Sequence, residues 1–189
     1  GRALCISWLG LPDVSYPSDV YEHQGILSLV KELSIKDGKL YQTPVKGIEK
    51  LRQSSLPFNK YIKNTSNCYE LNLKLEGDMI YELVLFSDKD DNGLSLIFNL
   101  VDGEVVVDRS NVGEALATEY SSVRSAPVAP ADTTARIFID NSVFEIFVND
   151  GEIVFSGRVF PRADQTQITI LQGDPTGVYY PLLSFTNPN

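Results

Sequence analysis

The sequence is poor in the residues that most often carry chemistry. Its 189 residues include one histidine and two cysteines. The lone His23 cannot form a zinc cluster and offers one base for a serine or cysteine nucleophile. Cys5 and Cys68 both lie in apolar, strand-like runs, which favours reduced core thiols over a disulfide framework. We therefore predict no metal site and no cofactor.

Basic clusters and long apolar runs are also missing. Sixteen Lys and Arg residues are scattered among 25 acidic residues, and the formal net charge is -9. This balance argues against nucleic acid and an anionic membrane as partners, because both need clustered positive charge. No apolar run approaches the roughly 18 residues of a spanning helix, and no signal-peptide pattern opens the sequence. The composition, 43% hydrophobic and 22% charged, is ordinary for a soluble globular protein.

The strongest β signal lies in residues 142–161. Two runs of β-branched and aromatic residues are joined there through Asn149-Asp150-Gly151. Asp-Gly between such runs is typical of a tight hairpin, since glycine tolerates positive φ. Another strand over 134–140 precedes them, so the region is predicted to form a three-strand meander. Asp37-Gly38 predicts a similar hairpin, after strands over 3–9 and 25–31.

We predict an all-β fold, a β-sandwich of two antiparallel sheets with one short helix. The helix is predicted over 43–54, where Val45, Ile48 and Leu51 recur at intervals of three. Residues 109–133 lack periodicity and are predicted to cross between the sheets as a long surface loop. A domain boundary is placed near residue 33, because the stretch before it has too few strands to close a core.

Two side chains stand out as candidates for a site. Glu145 lies in a strand between aromatic residues, so it must face solvent or find a donor, and Arg158 is its predicted partner. A structural ion pair is favoured there over catalysis. Trp8 either belongs to the core or forms a platform for a sugar, because an indole face stacks on the apolar face of a sugar ring. Most other acidic residues fit turns.

Several blocks of the sequence resemble one known family. Ser142-Val-Phe-Glu-Ile-Phe-Val-Asn-Asp-Gly-Glu with Arg158-Val-Phe-Pro161 resembles the C-terminal β-sandwich of the β-fructofuranosidases of glycoside hydrolase family 32. Ile6-Ser-Trp-Leu-Gly10 and Asp37-Gly-Lys-Leu-Tyr-Gln42 resemble that family's passage from the last blade of a catalytic β-propeller into the sandwich. The resemblance implies that residues 1–33 are the last strands of a truncated propeller with a linker, and that 34–189 are the sandwich domain.

The resemblance also implies where the chemistry lies. The family's retaining mechanism needs two carboxyl groups about 5–5.5 Å apart, carried by propeller motifs that this sequence lacks. Asn149-Asp150-Gly151 and Asp174-Pro175 are near-matches only. We therefore predict no catalytic residue, and no activity of these 189 residues alone. The expected function is that of a C-terminal fragment of a sucrose-6-phosphate hydrolase-like β-fructofuranosidase, in which the sandwich stabilises the propeller. The alternative is a carbohydrate-binding or dimerisation module.

In this comparison Trp8 looks like the aromatic residue of the last blade that lines the sugar pocket, with the loop 12–23 at the rim. A small sugar, either sucrose 6-phosphate, sucrose or a fructan, would bind through the parent propeller. The block 7–17 is most similar to intracellular bacterial enzymes, which favours a cytoplasmic protein. The chain starts at Gly1 inside a strand, so we interpret residue 1 as a cut rather than a start. Without the other blades, residues 1–31 leave strand edges that favour self-association.

Overall fold

The computed structural model describes residues 1–58, 61–63 and 65–183, apart from the side chain of Tyr61. Antiparallel strands in three sheets dominate the described part, and its helical segments are four short 3-10 turns. None of these described helices is long and apolar enough to cross a membrane.

The first sheet is small and lies at the start of the chain. It contains β1 (Ala3–Cys5), β2 (Lys31–Lys36) and β3 (Lys39–Pro44) in the order β1-β2-β3. The hairpin between β2 and β3 turns at Asp37-Gly38, whose φ angles are 50° and 76°. This confirms the predicted turn, because only a left-handed backbone closes so tight a loop. The boundary predicted at residue 33 falls inside β2 and stays a prediction.

The strand predicted over 25–31 is wrong. The regular strand begins at Lys31, and the preceding stretch contributes only an isolated bridge between Leu27 and Trp8. Backbone N–H groups of Leu9 and Ser28 donate across this bridge, to Ile26 and Ser7 respectively. These two backbone hydrogen bonds are too few to make a ladder.

Two six-stranded antiparallel sheets form the rest of the described chain. They have the orders β10-β9-β8-β7-β14-β5 and β13-β12-β11-β6-β15-β4. The predicted β-sandwich of two antiparallel sheets is confirmed. The strands are β4 (Leu56–Pro57), β5 (Tyr61–Ile62), β6 (Cys68–Leu75), β7 (Ile80–Ser87), β8 (Leu94–Asn99), β9 (Glu104–Asp108), β10 (Val123–Pro127), β11 (Thr133–Asp140), β12 (Val143–Val148), β13 (Ile153–Arg158), β14 (Gln167–Gln172) and β15 (Thr176–Pro181).

The predicted meander is β11-β12-β13. The loop between β12 and β13 contains Asn149, Asp150 and Gly151, all with positive φ, which confirms the hairpin. The strand predicted around 179–185 corresponds to β15, and residues 184–185 lie outside the described residues.

Two elements differ from the sequence prediction. The short helix is a 3-10 helix over Lys46–Leu51, and the spacing of three that predicted a helix is the period of a 3-10 turn. The stretch 109–133 is not one loop, because β10 pairs along β9 before the chain crosses to the second sheet. This strand escaped prediction because it lies at a sheet edge with most of its side chains exposed, so it lacks an apolar alternation.

β12 is buried on both of its faces. Side chains alternate along a strand, and Phe144, Ile146 and Val148 lie in the main core between the two large sheets. Phe147 points outward and packs with Phe138 under a cover that includes residues 29, 48 and 51. The cover therefore comes from the 3-10 helix and from residues 1–31, which we call the N-terminal segment. Glu145 shares this outer face with Phe147.

Candidate functional site

A cavity of about 280 Å³ lies between the N-terminal segment and the sandwich. Its walls come from residues 8–16 of the segment, from the stretch 107–124 around β9 and β10, and from residues 144–158 of the β12-β13 hairpin. We call it the arginine cavity. Its polar and aromatic lining includes Trp8, Tyr16, Arg109, Tyr120, Arg124 and Arg158.

Trp8 lies in the wall of this cavity and is 50% exposed. Its indole ring packs on two glycines. A Cβ atom at Gly25 would come within 1.8 Å of the indole Nε1, and one at Gly10 within 2.7 Å of Cζ2. The glycines therefore fix the ring in place while leaving about half of it open. This placement excludes a simple core role for Trp8, and its predicted role in binding a sugar stays a prediction.

Arg109 and Arg124 are neighbours across β9 and β10. Both guanidinium groups donate to main-chain carbonyl groups of residues 116–123. They share the carbonyl oxygen of Ser121, at 3.3 Å from Arg109 Nη2 and 3.4 Å from Arg124 Nη1. Burial, and next the positive charge of Arg124, lower the pKa of Arg109. In the described part of the chain neither arginine forms a salt bridge with a carboxylate.

Arg158 is buried, with 8% of its surface exposed. It donates from Nη1 to the carbonyl oxygen of Gln24 at 2.6 Å and from Nη2 to Ser142 Oγ at 3.0 Å. Its guanidinium lies 5.2 Å from the ring centre of Tyr16 and 4.8 Å from that of Phe160. Burial lowers the pKa of Arg158. Its hydrogen-bond acceptors are neutral, so its positive charge is not cancelled by a direct partner.

The predicted ion pair between Glu145 and Arg158 is wrong. Glu145 Oε2 lies 3.0 Å from Lys31 Nζ and accepts a hydrogen bond from Ser156 Oγ at 3.0 Å. The backbone N–H of Leu29 donates to the other carboxylate oxygen. The N-terminal segment and β2 cover the outer face that carries Glu145. The cationic partner of Glu145 therefore comes from them. The structural role predicted for Glu145 fits these contacts.

The other buried carboxylates are also bound to cations. Arg52 donates to both carboxylate oxygens of Glu70, at 2.7 and 2.8 Å, and Arg136 Nε donates to it at 2.9 Å. This hydrogen bonding raises the pKa of Arg52. Asp88 lies 2.8 Å from Arg162 and caps the turn that follows it.

The remaining candidates do not form a reactive cluster. His23 is exposed and stacks on Tyr21, with ring centres 6.3 Å apart. Cys5 and Cys68 are both free thiols. Asp150 lies in the β12-β13 turn, and Asp174 is exposed in the connection between β14 and β15, which crosses from one large sheet to the other. Searching the described residues gave no group of three His, Cys, Asp or Glu side chains arranged to hold a metal.

Sequence reasoning missed the arginine cavity. Arg109 and Arg124 lie in the stretch that was predicted to be a loop, and no local pattern links them to Trp8. No sequence signal brings Arg109, Arg124 and Arg158 together, because they lie 15 and 34 positions apart along the chain.

The structure defines the class of protein: it is a two-sheet antiparallel β-sandwich with a small N-terminal sheet on its outer face. The sequence model of the family "Glycosyl hydrolases family 32 C terminal" matches residues 36–180. The chain belongs to this family, which confirms the resemblance drawn from its sequence blocks.

The relatives are longer than this chain. It is 48% identical over 182 residues to the sucrose-6-phosphate hydrolase of Streptococcus mutans serotype c, a match that covers 96% of this chain and 38% of that protein. It is 35% identical over 184 residues to the Pediococcus pentosaceus sucrose-6-phosphate hydrolase, covering 94% of this chain and 36% of that protein. The chain therefore corresponds to a C-terminal portion of these relatives.

The fold matches solved structures over the same extent. The structure of sucrose-6-phosphate hydrolase from Lactobacillus gasseri superimposes with a TM-score of 0.93 at 35% identity, covering 98% of this chain and 40% of that one. The Bombyx mori family 32 β-fructofuranosidase BmSUC1 gives a TM-score of 0.75 at 25% identity, covering 96% and 38%. The N-terminal segment is thus part of the shared fold.

Proposed function

We propose that this chain is the C-terminal part of a β-fructofuranosidase that hydrolyses the fructosyl bond of sucrose 6-phosphate, with the catalytic carboxylates on a propeller formed by preceding residues. In that enzyme the sandwich stabilises the propeller, and Trp8 contributes one face of the sugar pocket. The matched relatives carry the name sucrose-6-phosphate hydrolase, and this chain spans little more than a third of their length.

The observation that carries this proposal is the apolar surface of the N-terminal sheet and segment. Large exposed apolar patches mark interaction surfaces in soluble proteins. The proposed propeller would cover this one, because the sheet is the continuation of its last blade. The apolar side chains that are at least half exposed there are Leu4, Ile6, Trp8, Val20, Tyr21, Leu27, Ile35 and Leu40.

The carboxylates support a non-catalytic role for these residues. A retaining glycosidase holds two free carboxyl groups about 5–5.5 Å apart across the scissile bond. The buried carboxylates of the described part, Glu70, Asp88 and Glu145, each bind a Lys or Arg instead. A nearby cation keeps a carboxylate ionised, so none of these three is suited to be the proton donor of such a pair.

The finer features of the proposal concern partners and place. β1 is an edge strand of the N-terminal sheet, so the chain without its propeller would self-associate through residues 1–31 by strand pairing. Free cysteines suit a reducing, cytoplasmic location. Sedimentation of the chain tests the first point, and a monomer at all concentrations would contradict it.

Activity assays test the main proposal. The 189-residue chain and a longer protein that adds the preceding propeller are each incubated with sucrose 6-phosphate, and glucose 6-phosphate and fructose are measured. We expect product from the longer protein alone. Hydrolysis by the 189 residues would refute the assignment of catalysis to the propeller, and an inactive but folded longer protein would refute the proposed reaction.

A second candidate function is glycan binding by the sandwich itself. A cavity of about 520 Å³ lies on the outer face of the second sheet, lined in part by Asn72, Arg136 and Tyr180. The Asn72 Oδ1 atom is buried there, and no described residue forms a hydrogen bond with it. Titration with fructans, compared between the original chain and Tyr180→Ala, tests this candidate. Saturable binding that Tyr180→Ala abolishes and Trp8→Ala leaves unchanged would favour it.

A further inference from the structure

The arginine cavity concentrates positive charge in an acidic protein. The chain carries a formal net charge of -9, yet Arg109, Arg124 and Arg158 line this cavity and no Asp or Glu does. Arg109 and Arg124 share one carbonyl acceptor and repel each other, so their arrangement costs free energy that an anion bound between them would offset. Such a cost points to a ligand, because surface arginines without a function are free to turn into solvent.

The arginines are held together by neutral groups. Arg109 and Arg124 both donate to the Ser121 carbonyl oxygen, at 3.3 and 3.4 Å, which keeps their guanidinium groups close. A guanidinium has more N–H donors than these carbonyl groups use. Arg124 is exposed and Arg109 half-buried, so donors of both remain within reach of a small ligand. Two neighbouring guanidinium groups suit the several oxygens of a phosphate.

Arg158 raises the positive electrostatic potential in the cavity without contacting the ligand. Its guanidinium lies against the rings of Tyr16 and Phe160, and its Nε is buried without a hydrogen-bond partner among the described residues. A buried charge is screened less than an exposed one, so it raises the positive potential in the cavity. The acidic residues that act on these arginines are Asp19, near Arg158, and Glu119, near Arg109. Asp19 Oδ2 already accepts the backbone N–H of Tyr16.

The rest of the lining suits a sugar. Trp8 presents its half-open indole ring to the same cavity as the arginines, and Tyr120 also lines that cavity. Aromatic rings stack on the apolar faces of sugars, whereas guanidinium groups bind phosphate oxygens. A ligand that contacts both kinds of group is a sugar that carries a phosphate.

We propose that the arginine cavity binds the phosphate monoester of a phosphorylated hexose, with Arg109 and Arg124 as its direct ligands and Arg158 as a buried source of positive potential. Assigning the sugar to a substrate or product rests on the proposed function, whereas the phosphate site rests on the arginines alone. In this proposal the sandwich recognises the phosphate group of the ligand, and the catalytic carboxylates lie on the proposed preceding propeller.

Binding to the 189-residue chain tests the proposal. Inorganic phosphate, glucose 6-phosphate and glucose are titrated separately and followed by calorimetry at two salt concentrations. We expect glucose 6-phosphate to bind most tightly, inorganic phosphate more weakly and glucose not measurably. Higher salt should weaken the binding of both phosphate ligands, because exposed charges are screened. Hydrolysis is not measured, so failure of the proposed reaction leaves this result readable.

Variants separate the cavity from general charge effects. Arg124→Gln removes one direct ligand from an exposed position, and we expect phosphate affinity to fall roughly 10- to 100-fold, the effect of one charged hydrogen bond. Arg124→Lys keeps the charge but loses the planar fork, so it should recover only part of the affinity. The matched control is Arg2→Gln, an equal charge change at an exposed arginine outside the cavity. Thermal unfolding of each variant checks that it is folded.

Three outcomes overturn the proposal. No binding of either phosphate ligand at millimolar concentration refutes the site. An equal loss in Arg2→Gln and Arg124→Gln shows that net charge, and not the cavity, governs binding. If inorganic phosphate binds as tightly as glucose 6-phosphate and Trp8→Ala changes neither, the ligand is free phosphate and the sugar assignment is wrong.

Discussion

The ion pair between Lys31 and Glu145 offers the sharpest test of how the N-terminal segment is attached. Their side chains are 4% and 1% exposed, and Nζ lies 3.0 Å from Oε2. Removing one partner of a buried pair leaves the other charge without compensation, which costs about 3–5 kcal/mol. We therefore expect Lys31→Met or Glu145→Gln alone to lower the free energy of unfolding by that amount. For a chain of this size the loss corresponds to about 6–20 °C in Tm.

The double variant Lys31→Met with Glu145→Gln has a different expected result. The amide oxygen of glutamine still accepts the backbone N–H of Leu29, and its NH2 group, in place of the second carboxylate oxygen, can donate to Ser156 Oγ. No charge remains buried, so most of the loss should be recovered. The coupling free energy of the cycle should therefore reach about 2 kcal/mol or more, above the range for exposed pairs.

Urea unfolding of the original chain, the two single variants and the double variant measures this coupling free energy. Hydrogen exchange shows which part of the structure loses stability. We expect faster exchange in β2 and residues 25–30 in each single variant, with the main core of the sandwich little changed. Lys39→Met is the control, because Lys39 pairs with Glu152 at an exposed site and should change stability little. Single variants that behave like this control, or a coupling free energy near zero, would show that the pair does not attach the segment.

Two further predictions concern single residues. Burial raises the pKa of the Cys68 thiol from 9.0 to about 11, so at pH 8 its thiolate fraction and its alkylation rate should be about 100-fold lower than for an ordinary thiol. Mass spectrometry of iodoacetamide labelling checks this, and equally fast labelling in native and denatured protein would contradict it. Gly151→Ala should destabilise more than Gly38→Ala in thermal unfolding. Both glycines have positive φ, but a Cβ at Gly151 would lie 2.0 Å from a backbone oxygen of β3 while one at Gly38 meets nothing within 4 Å. Equal losses would show that strain alone, about 1–2 kcal/mol, governs both.

The features that sequence predicted well are local ones. Asp37-Gly38 and Asn149-Asp150-Gly151 specify their turns through the backbone preferences of adjacent residues, and the structure has both hairpins. The alternation of apolar residues likewise placed most strands of the sandwich. β10 was missed because an edge strand with one paired neighbour and exposed side chains has no such alternation.

The candidate site could be predicted only in part, since its contacts join distant parts of the chain. Glu145 was recognised as a carboxylate that needs a donor, but the predicted partner was the nearby Arg158. The true partner, Lys31, lies 114 positions earlier, and only the covering of the outer face by the N-terminal segment brings it there. The arginine cavity is equally non-local, because its walls come from three separate stretches.

The β12-β13 hairpin connects the N-terminal segment to the arginine cavity. It presents Glu145 and Arg158 to the N-terminal segment, and each takes partners from it: Lys31 and a backbone N–H for the carboxylate, the Gln24 carbonyl oxygen for the guanidinium. The negative carboxylate of Glu145 and the positive guanidinium of Arg158 together fix the position of residues 24–31. Gly25 lies in that stretch and holds the Trp8 ring. The residues that attach the segment to the sandwich therefore also set the position of the aromatic wall of the arginine cavity, so we expect that loosening the segment would weaken binding of the proposed ligand.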